Sequence, residues 1–253
     1  MGARGLDVEM AGRGRSLVLL HSLLTDRTSF EPLAERMADR RRLVLVDMPG
    51  FGSSEPAEPV AGYAARIAAM FDDLSLAPDT DILGNGLGGF VALTMAMRHG
   101  EKFRRLVLVG SAVAFPEAGR ATFRALADKV DEAGMGAVAQ AAMHRLFPGD
   151  FIAANPKLIA GRKAVFEGIE AGVFAAACRA LAVLDLSADL KNVRNPTLIV
   201  VGEEDAATPP PLARELAGRL ADARVVELPG LGHCPHMQDP DAFLAAVSGF
   251  LGT

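Results

Sequence analysis

Short apolar runs recur along this chain, separated by longer stretches in which apolar positions return every three or four residues. Residues 16–20, 43–47, 81–83, 105–109, 197–201 and 224–228 are rich in Val, Leu and Ile and lack polar alternation. Strands of that composition are buried on both faces, as in a parallel sheet covered by helices. The intervening stretches 29–39, 62–74, 87–99, 211–220 and 240–251 carry the helical period. This strand–helix alternation predicts an α/β fold, a mostly parallel central sheet with helices on both faces.

The alternation stops between residues 111 and 190. That stretch is Ala-rich, has helical spacing, and is broken at Pro116, Gly134, Pro148, Gly149 and Pro156. It reads as a helical cap, residues 112–190, inserted between two core segments, 1–111 and 191–253. Its expected place is over the carboxyl ends of the strands, where open α/β sheets bind ligands.

Composition narrows the class. Of the 253 residues, 50% are hydrophobic, enough for a sizeable core without covalent staples. Lys and Arg number 26 against 31 Asp and Glu, a net charge of −5, which leaves no electrostatic footprint for nucleic acid. The two cysteines, Cys178 and Cys234, form no CxxC pair, and neither they nor the histidines have metal-ligand spacing. Isolated thiols suit a reducing compartment. Residues 1–16 carry Arg4, Asp7, Glu9, Arg13 and Arg15 and no apolar signal core. The first apolar run, 17–24, is interrupted by His21 and Ser22, and no segment approaches the roughly 20 apolar residues of a membrane span. The expectation is a cytoplasmic protein that has neither membrane nor nucleic-acid partners and needs no cofactor or metal. Oligomeric state is not encoded in any pattern found here.

The chemistry concentrates in Asp81-Ile82-Leu83-Gly84-Asn85-Gly86-Leu87-Gly88-Gly89, which runs from strand through tight turn to helix. In the α/β-hydrolase fold this place holds G-x-S-x-G, a serine in a strained turn at a helix N-terminus. Here the five positions read Gly84-Asn85-Gly86-Leu87-Gly88, with glycine at the nucleophile position. Gly84, Gly86 and Gly89 also spell the dinucleotide fingerprint G-x-G-x-x-G. That motif expects an acidic residue after the next strand, about 20 positions on, for the ribose hydroxyls. The next strand ends in Gly110-Ser111 instead.

An acid and a base follow in hydrolase order. Asp205 lies just past the strand 197–201, in Gly202-Glu203-Glu204-Asp205, and His233 lies in the Gly-rich stretch Gly230-Leu231-Gly232-His233 after the last strand. A turn-forming carboxylate is the competing reading of Asp205. Glu203 and Glu204 are weaker substitutes for it, and His236 reads as a supporting or structural residue. An oxyanion hole needs two backbone N–H groups. Leu87, the residue after the nucleophile position, and Leu23, in His21-Ser22-Leu23-Leu24-Thr25-Asp26, are the candidates. Ser22 contributes a hydroxyl to this loop, although no sequence pattern marks it as a replacement nucleophile. His144, Phe147, Phe166, Phe174 and Cys178 are candidate pocket lining in the cap, with Ser22 on the core side; amphipathic core positions are the competing reading for the cap residues.

Three stretches resemble the 3-oxoadipate enol-lactonases of the α/β-hydrolase superfamily. Ser22-Leu23-Leu24-Thr25-Asp26 is similar to their S-L-G-T-D, Asp205-Ala206-Ala207-Thr208-Pro209-Pro210 to their D-x-A-T-P-P, and Phe174-Ala175-Ala176-Ala177-Cys178-Arg179-Ala180-Leu181 to their Y-A-x-C-C-A-A-I. Two departures stand beside these. Pro49-Gly50-Phe51-Gly52 replaces an R-G-H-G-type turn, and Ala182-Val183 replaces a polar Arg-Asp. The resemblance therefore implies the fold and ester or lactone chemistry on a small-molecule substrate, and not a particular substrate. It leaves three readings of Gly86: a serine hydrolase disabled by a Ser-to-Gly replacement, a serine-less enzyme in which His233 and Asp205 act on water, or a non-catalytic receptor.

Overall fold

A computed structural model of the protein describes residues 5–252. Residues 1–4 and 253, the ends of the two expected core segments and the start of the stretch read for a signal core, lie outside the described residues. Seven strands form one sheet: β1 (Asp7–Gly12), β2 (Arg15–Leu20), β3 (Arg41–Asp47), β4 (Asp81–Asn85), β5 (Arg105–Val109), β6 (Thr197–Gly202) and β7 (Ala223–Leu228). Their order is β1-β3-β2-β4-β5-β6-β7. All neighbours are parallel except β1, which runs antiparallel to β3.

Eleven helices connect and cover the strands among the described residues: α1 (Glu31–Met37), α2 (Ala61–Asp73), α3 (Leu87–His99), α4 (Glu117–Ala133), α5 (Ala139–Leu146), α6 (Gly149–Ala154), α7 (Pro156–Glu167), α8 (Ala171–Val183), α9 (Pro210–Arg219), α10 (Pro235–Gln238) and α11 (Pro240–Leu251). None is long and apolar enough to cross a membrane.

The apolar runs form central strands because successive side chains alternate between two cores. Leu17 and Leu19 of β2, Leu43 and Leu45 of β3, and Val107 and Val109 of β5 join a core closed by α1 and α11. Val18 and Leu20, Val44 and Val46, and Leu106 and Leu108 join the opposite core, closed by α2, α3, α9 and the helices after β5. Strand β1 was not expected from the sequence. It sits at the sheet edge, half exposed, with Val8 and Met10 alternating with Asp7 and Glu9, so it lacks the continuous apolar run that marks the others. Its pairing to β3, from Asp7↔Asp47 to Gly12↔Arg42, supplies what its composition does not.

Between β5 and β6 the described residues contain helices α4–α8 and no strand, only an isolated bridge between Ala114 and Asp185. Strand β2 lies between β3 and β4. The chain thus leaves β2 towards one edge and returns across it to β4, creating a crevice at their carboxyl ends, the usual ligand position in such sheets. At the opposite end, buried Asp81 accepts from Arg41 Nη2 at 2.9 Å and from Arg104 at 3.1 and 3.0 Å. Arg41 also donates to the carbonyls of Arg15 and Ser16, each at 2.8 Å. These bonds lock together the starts of β2, β3, β4 and β5, and they satisfy charges that burial alone would make costly.

His236 is fully buried between Phe30, 4.8 Å away, and Phe243, 5.8 Å away. Burial among these rings, aided by nearby His233, pushes its imidazole down to about 3. In the unfolded chain a histidine titrates near 6.5. Between those values the unfolded state binds the extra proton, so stability present above pH ~6.5 falls as pH drops towards 3, by up to ~1.4 kcal/mol per pH unit. His236→Phe keeps the stacking and removes the proton. In urea denaturation, the loss of stability from pH 7 to pH 5 is expected to be about 2 kcal/mol smaller in the variant than in the parent chain; equal losses would contradict this assignment.

Candidate active site

Gly86 sits at the turn between β4 and α3 with φ 53° and ψ −117°. L-residues rarely adopt this conformation, and the nucleophile elbow is one place where the strain is tolerated. Its N–H donates to Val109 O of β5 at 2.9 Å, fixing the turn to the sheet. Helix α3 then passes so close to β2 that a Cβ on Gly88 would fall 2.1 Å from Leu20 O.

His233 follows β7 and is held from several directions. Its N–H donates to Leu146 O at 3.1 Å, and its carbonyl accepts from Asn85 Nδ2 at 2.9 Å. Asn85 Oδ1 in turn accepts from Cys234 Sγ at 3.2 Å. His233 Nδ1 lies 2.9 Å from Asp205 Oδ2. These partners assign the proton to Nδ1, which leaves the Nε2 lone pair facing Gly86 and Ser22.

Asp205 is buried in the loop after β6. Its Oδ1 accepts the N–H groups of Ala207 and Thr208, both at 2.8 Å, and its Oδ2 also accepts Thr208 Oγ1 at 2.9 Å. Burial pushes this carboxyl up, but the charge and hydrogen bond of His233 and the two bonds from Thr208 outweigh it and hold the group below the usual carboxylate range. Gly110 closes the pair from beneath, with φ +57°; a Cβ there would lie 2.7 Å from His233 Nδ1 and 2.9 Å from Asp205 Oδ2.

Ser22 follows β2 on the other side of Gly86. His21 Nε2 accepts from Met48 N–H at 3.1 Å, so its Nδ1–H donates to Ser22 O at 2.8 Å. Burial lowers the pKa of His21, keeping the ring neutral for this bridging role. Ser22 Oγ lies 3.4 Å from His233 Nε2. Leu23 and Leu87 line the same cavity, and neither of their N–H groups donates to another group among the described residues. Leu87 is the first residue of α3, where backbone donors are orphaned and the helix dipole favours negative charge.

A cavity with about 390 Å³ of empty volume opens at this point. Gly86, Ser22, Leu23, Leu87, Thr208 and His233 form its base, and Phe115, Phe123, Leu126, Arg145 and Leu181 cover it. Of the six residues expected to line the pocket, His144, Phe147, Phe166, Phe174, Cys178 and Ser22, only Ser22 lines it. His144 is exposed on the outer face of α5, 3.1 Å from Gln140 Nε2. Phe147 is buried against Phe151, and Phe174 packs edge-on against Phe166, both outside the cavity lining. Cys178 is buried as well, its thiol pushed up to about 12 by desolvation.

The sequence reading missed Arg145, Asn85, Gly110 and Thr208. Arg145 neighbours His144, and the 100° step between consecutive helical residues turns it inward. It lies over the Phe123 ring, 5.5 Å from the centroid, with no hydrogen bond or close ion pair among the described residues. Desolvation lowers its pKa, partly offset by the charge of Asp205. No group of histidine, cysteine and carboxylate side chains among the described residues is arranged to hold a metal ion.

Comparison with known proteins agrees with this fold. The chain is 31% identical to pimeloyl-[acyl-carrier protein] methyl ester esterase from Chromobacterium violaceum, over 98% of each protein. It superposes on the enol-lactonase from Burkholderia xenovorans LB400 with a TM-score of 0.91 and 27% identity, covering 98% of this chain and 96% of that one. It is also 29% identical, over 99% of its length, to polyketide synthase ThaQ from Burkholderia thailandensis, of which it spans only 12%. Residues 17–246 match the alpha/beta hydrolase family, to which the chain therefore belongs.

Proposed function

We propose that this protein hydrolyses carboxylic esters or lactones in the cavity above Gly86. One observation carries the reading. His233 is oriented through Nδ1 by a buried, fully hydrogen-bonded Asp205, and it turns Nε2 towards a cavity also lined by Leu23 and Leu87, whose backbone N–H groups have no partner among the described residues. A general base and an oxyanion site that meet at one point suit acyl transfer. In this reading the substrate carbonyl lies over Gly86 with its oxygen towards Leu23 and Leu87 N–H. His233 takes the proton of the attacking oxygen and returns it to the leaving group, while Asp205 holds the imidazole tautomer. Residues 112–190 act as the cap, and 1–111 with 191–253 as the hydrolase core. The esterase and enol-lactonase relatives support the bond type.

Gly86 sets the level of activity. The chain lacks a side-chain nucleophile where the family's elbow carries one, so its turnover is well below that of a serine hydrolase. A Cβ at 86 would fall 2.7 Å from both Ser22 Oγ and His233 Nε2, so a serine there requires the Ser22 hydroxyl to rotate away and the imidazole to shift slightly. Gly86→Ser is therefore expected to raise hydrolysis of short p-nitrophenyl esters and simple lactones by several orders of magnitude. His233→Ala is expected to abolish the slower rate of the parent chain. If the serine variant gains nothing, position 86 is not a nucleophile site, and if His233→Ala keeps the rate, the base assignment fails. Asp205→Asn leaves the fold intact but favours the wrong tautomer; its kcat is expected to drop on the order of 10³–10⁴-fold, read by steady-state kinetics, and a near-normal kcat would exclude its orienting role.

Arg145 indicates which substrates fit. A guanidinium stays charged in proteins, and one in an apolar wall without a carboxylate partner gains most from an anionic ligand. The favoured substrates are esters or lactones that carry a free acid group. Arg145→Leu is expected to raise KM for an acid-bearing ester about tenfold or more while leaving KM for the neutral ester of equal length unchanged. Equal effects on the two would remove Arg145 from recognition.

A further inference from the structure

We infer that the hydroxyl of Ser22 serves as the nucleophile in place of the absent side chain at position 86. This role rests on the hydrolytic reading of the site. Three features of the structure lead to it. Ser22 Oγ is the hydroxyl that faces the free nitrogen of the catalytic base, 3.4 Å from His233 Nε2, a separation that closes on substrate binding in many such pairs. The glycine makes the approach possible, because a Cβ at 86 would fall 2.7 Å from each of these two atoms. The space vacated by the missing side chain is thus bordered by one base and one hydroxyl.

The oxyanion site also fits a nucleophile at 22. In the elbow, one oxyanion donor is the N–H of the residue that follows the nucleophile. Leu87 stands in that relation to position 86, and Leu23 stands in the same relation to Ser22. Leu23 and Leu87 both line the cavity beside Ser22, and their N–H groups are the donors this reading assigns to a tetrahedral centre on Ser22 Oγ. The Ser22 backbone is rigid as well, since its carbonyl accepts from His21 Nδ1 at 2.8 Å, Thr25 N at 3.2 Å and Thr25 Oγ1 at 3.3 Å. A nucleophile fixed by its own loop needs little reorganisation to attack.

The chemistry balances with ester and water alone. Ser22 Oγ bonds to the acyl carbon as its proton passes to His233 Nε2. The carbon–oxygen bond to the leaving alcohol breaks, and that alcohol takes the proton from His233. Water then attacks the acyl-Ser22 ester, losing a proton to His233; the acyl–Oγ bond breaks as His233 returns that proton to Ser22 Oγ, which releases the acid and restores the hydroxyl.

The test uses the whole chain, a p-nitrophenyl ester and a fluorophosphonate ester that phosphonylates activated serines with loss of fluoride. Peptide mass spectrometry is expected to find the phosphonyl adduct on Ser22 in the parent chain and on residue 86 in Gly86→Ser. Ser22→Ala is expected to lose the adduct and about 10³-fold or more of kcat. Ser22→Cys controls for folding. It is expected to react with iodoacetamide at residue 22, whereas burial pushes the thiols of Cys178 and Cys234 up and keeps them unreactive. Turnover that persists in Ser22→Ala but vanishes in His233→Ala overturns the Ser22 assignment alone and leaves water as the attacking group. Absence of turnover in the parent chain, with no adduct on Ser22, overturns both this role and the hydrolytic reading.

Discussion

Helix α3 starts so close to the carboxyl ends of β2 and β4 that its first turns leave no room for a side chain on the sheet side. A Cβ on Gly88 would meet Leu20 O at 2.1 Å, and Gly88 N–H donates to His21 O at 3.0 Å. This backbone contact aims the N-terminus of α3 at the crevice beside β2 and brings the loop after β2 against the elbow. The positions of Leu23, Leu87, the Ser22 hydroxyl and the Gly86 turn all follow from that approach. The positive φ at Gly86 is the local cost, and the N–H of Gly86 on Val109 O helps to hold it.

The base is placed by a second set of contacts on the other side of β4. Asn85, one residue before the turn, reaches across to the carbonyls of Val109 and His233, at 3.3 and 2.9 Å. Elbow and base are therefore linked through one side chain, and a shift in either is felt by the other. Asp205 has its lone pairs filled by two backbone N–H groups, the Thr208 hydroxyl and the imidazole. Such a carboxylate stays ionised because His233 and the hydrogen bonds of Thr208 and Ala207 replace the water it has lost. This arrangement is built to keep one imidazole oriented, and it is intact although the elbow carries glycine.

Above the site, helices α4, α5 and α8 contribute apolar walls and one cation. The departures from the enol-lactonase pattern at positions 49–52 and 182–183 remove polar groups from two segments. Arg145, on a different helix, returns a positive charge to the cavity. The position of a charge in space, rather than its position in the chain, thus sets the electrostatics of the cavity.

The sequence by itself determined the mostly parallel sheet, the glycine-lined turn and the order in which Asp205 and His233 follow it. Runs such as Leu17–Leu20 of β2 are apolar at every position, which only a strand buried on both faces requires. The glycines could be read because close backbone approach tolerates no other residue. Edge strand β1 escaped notice because its half-exposed pattern is ordinary for a loop, and only its pairing with β3 makes it a strand. Tertiary structure alone decided which cap residues face the cavity. His144 and Arg145 are adjacent in the chain and equally polar, and the 100° turn between them sends one to solvent and the other inward. It alone also brought Ser22 to His233, 211 positions away, because the distance between two loops is set by how the strands that carry them pack.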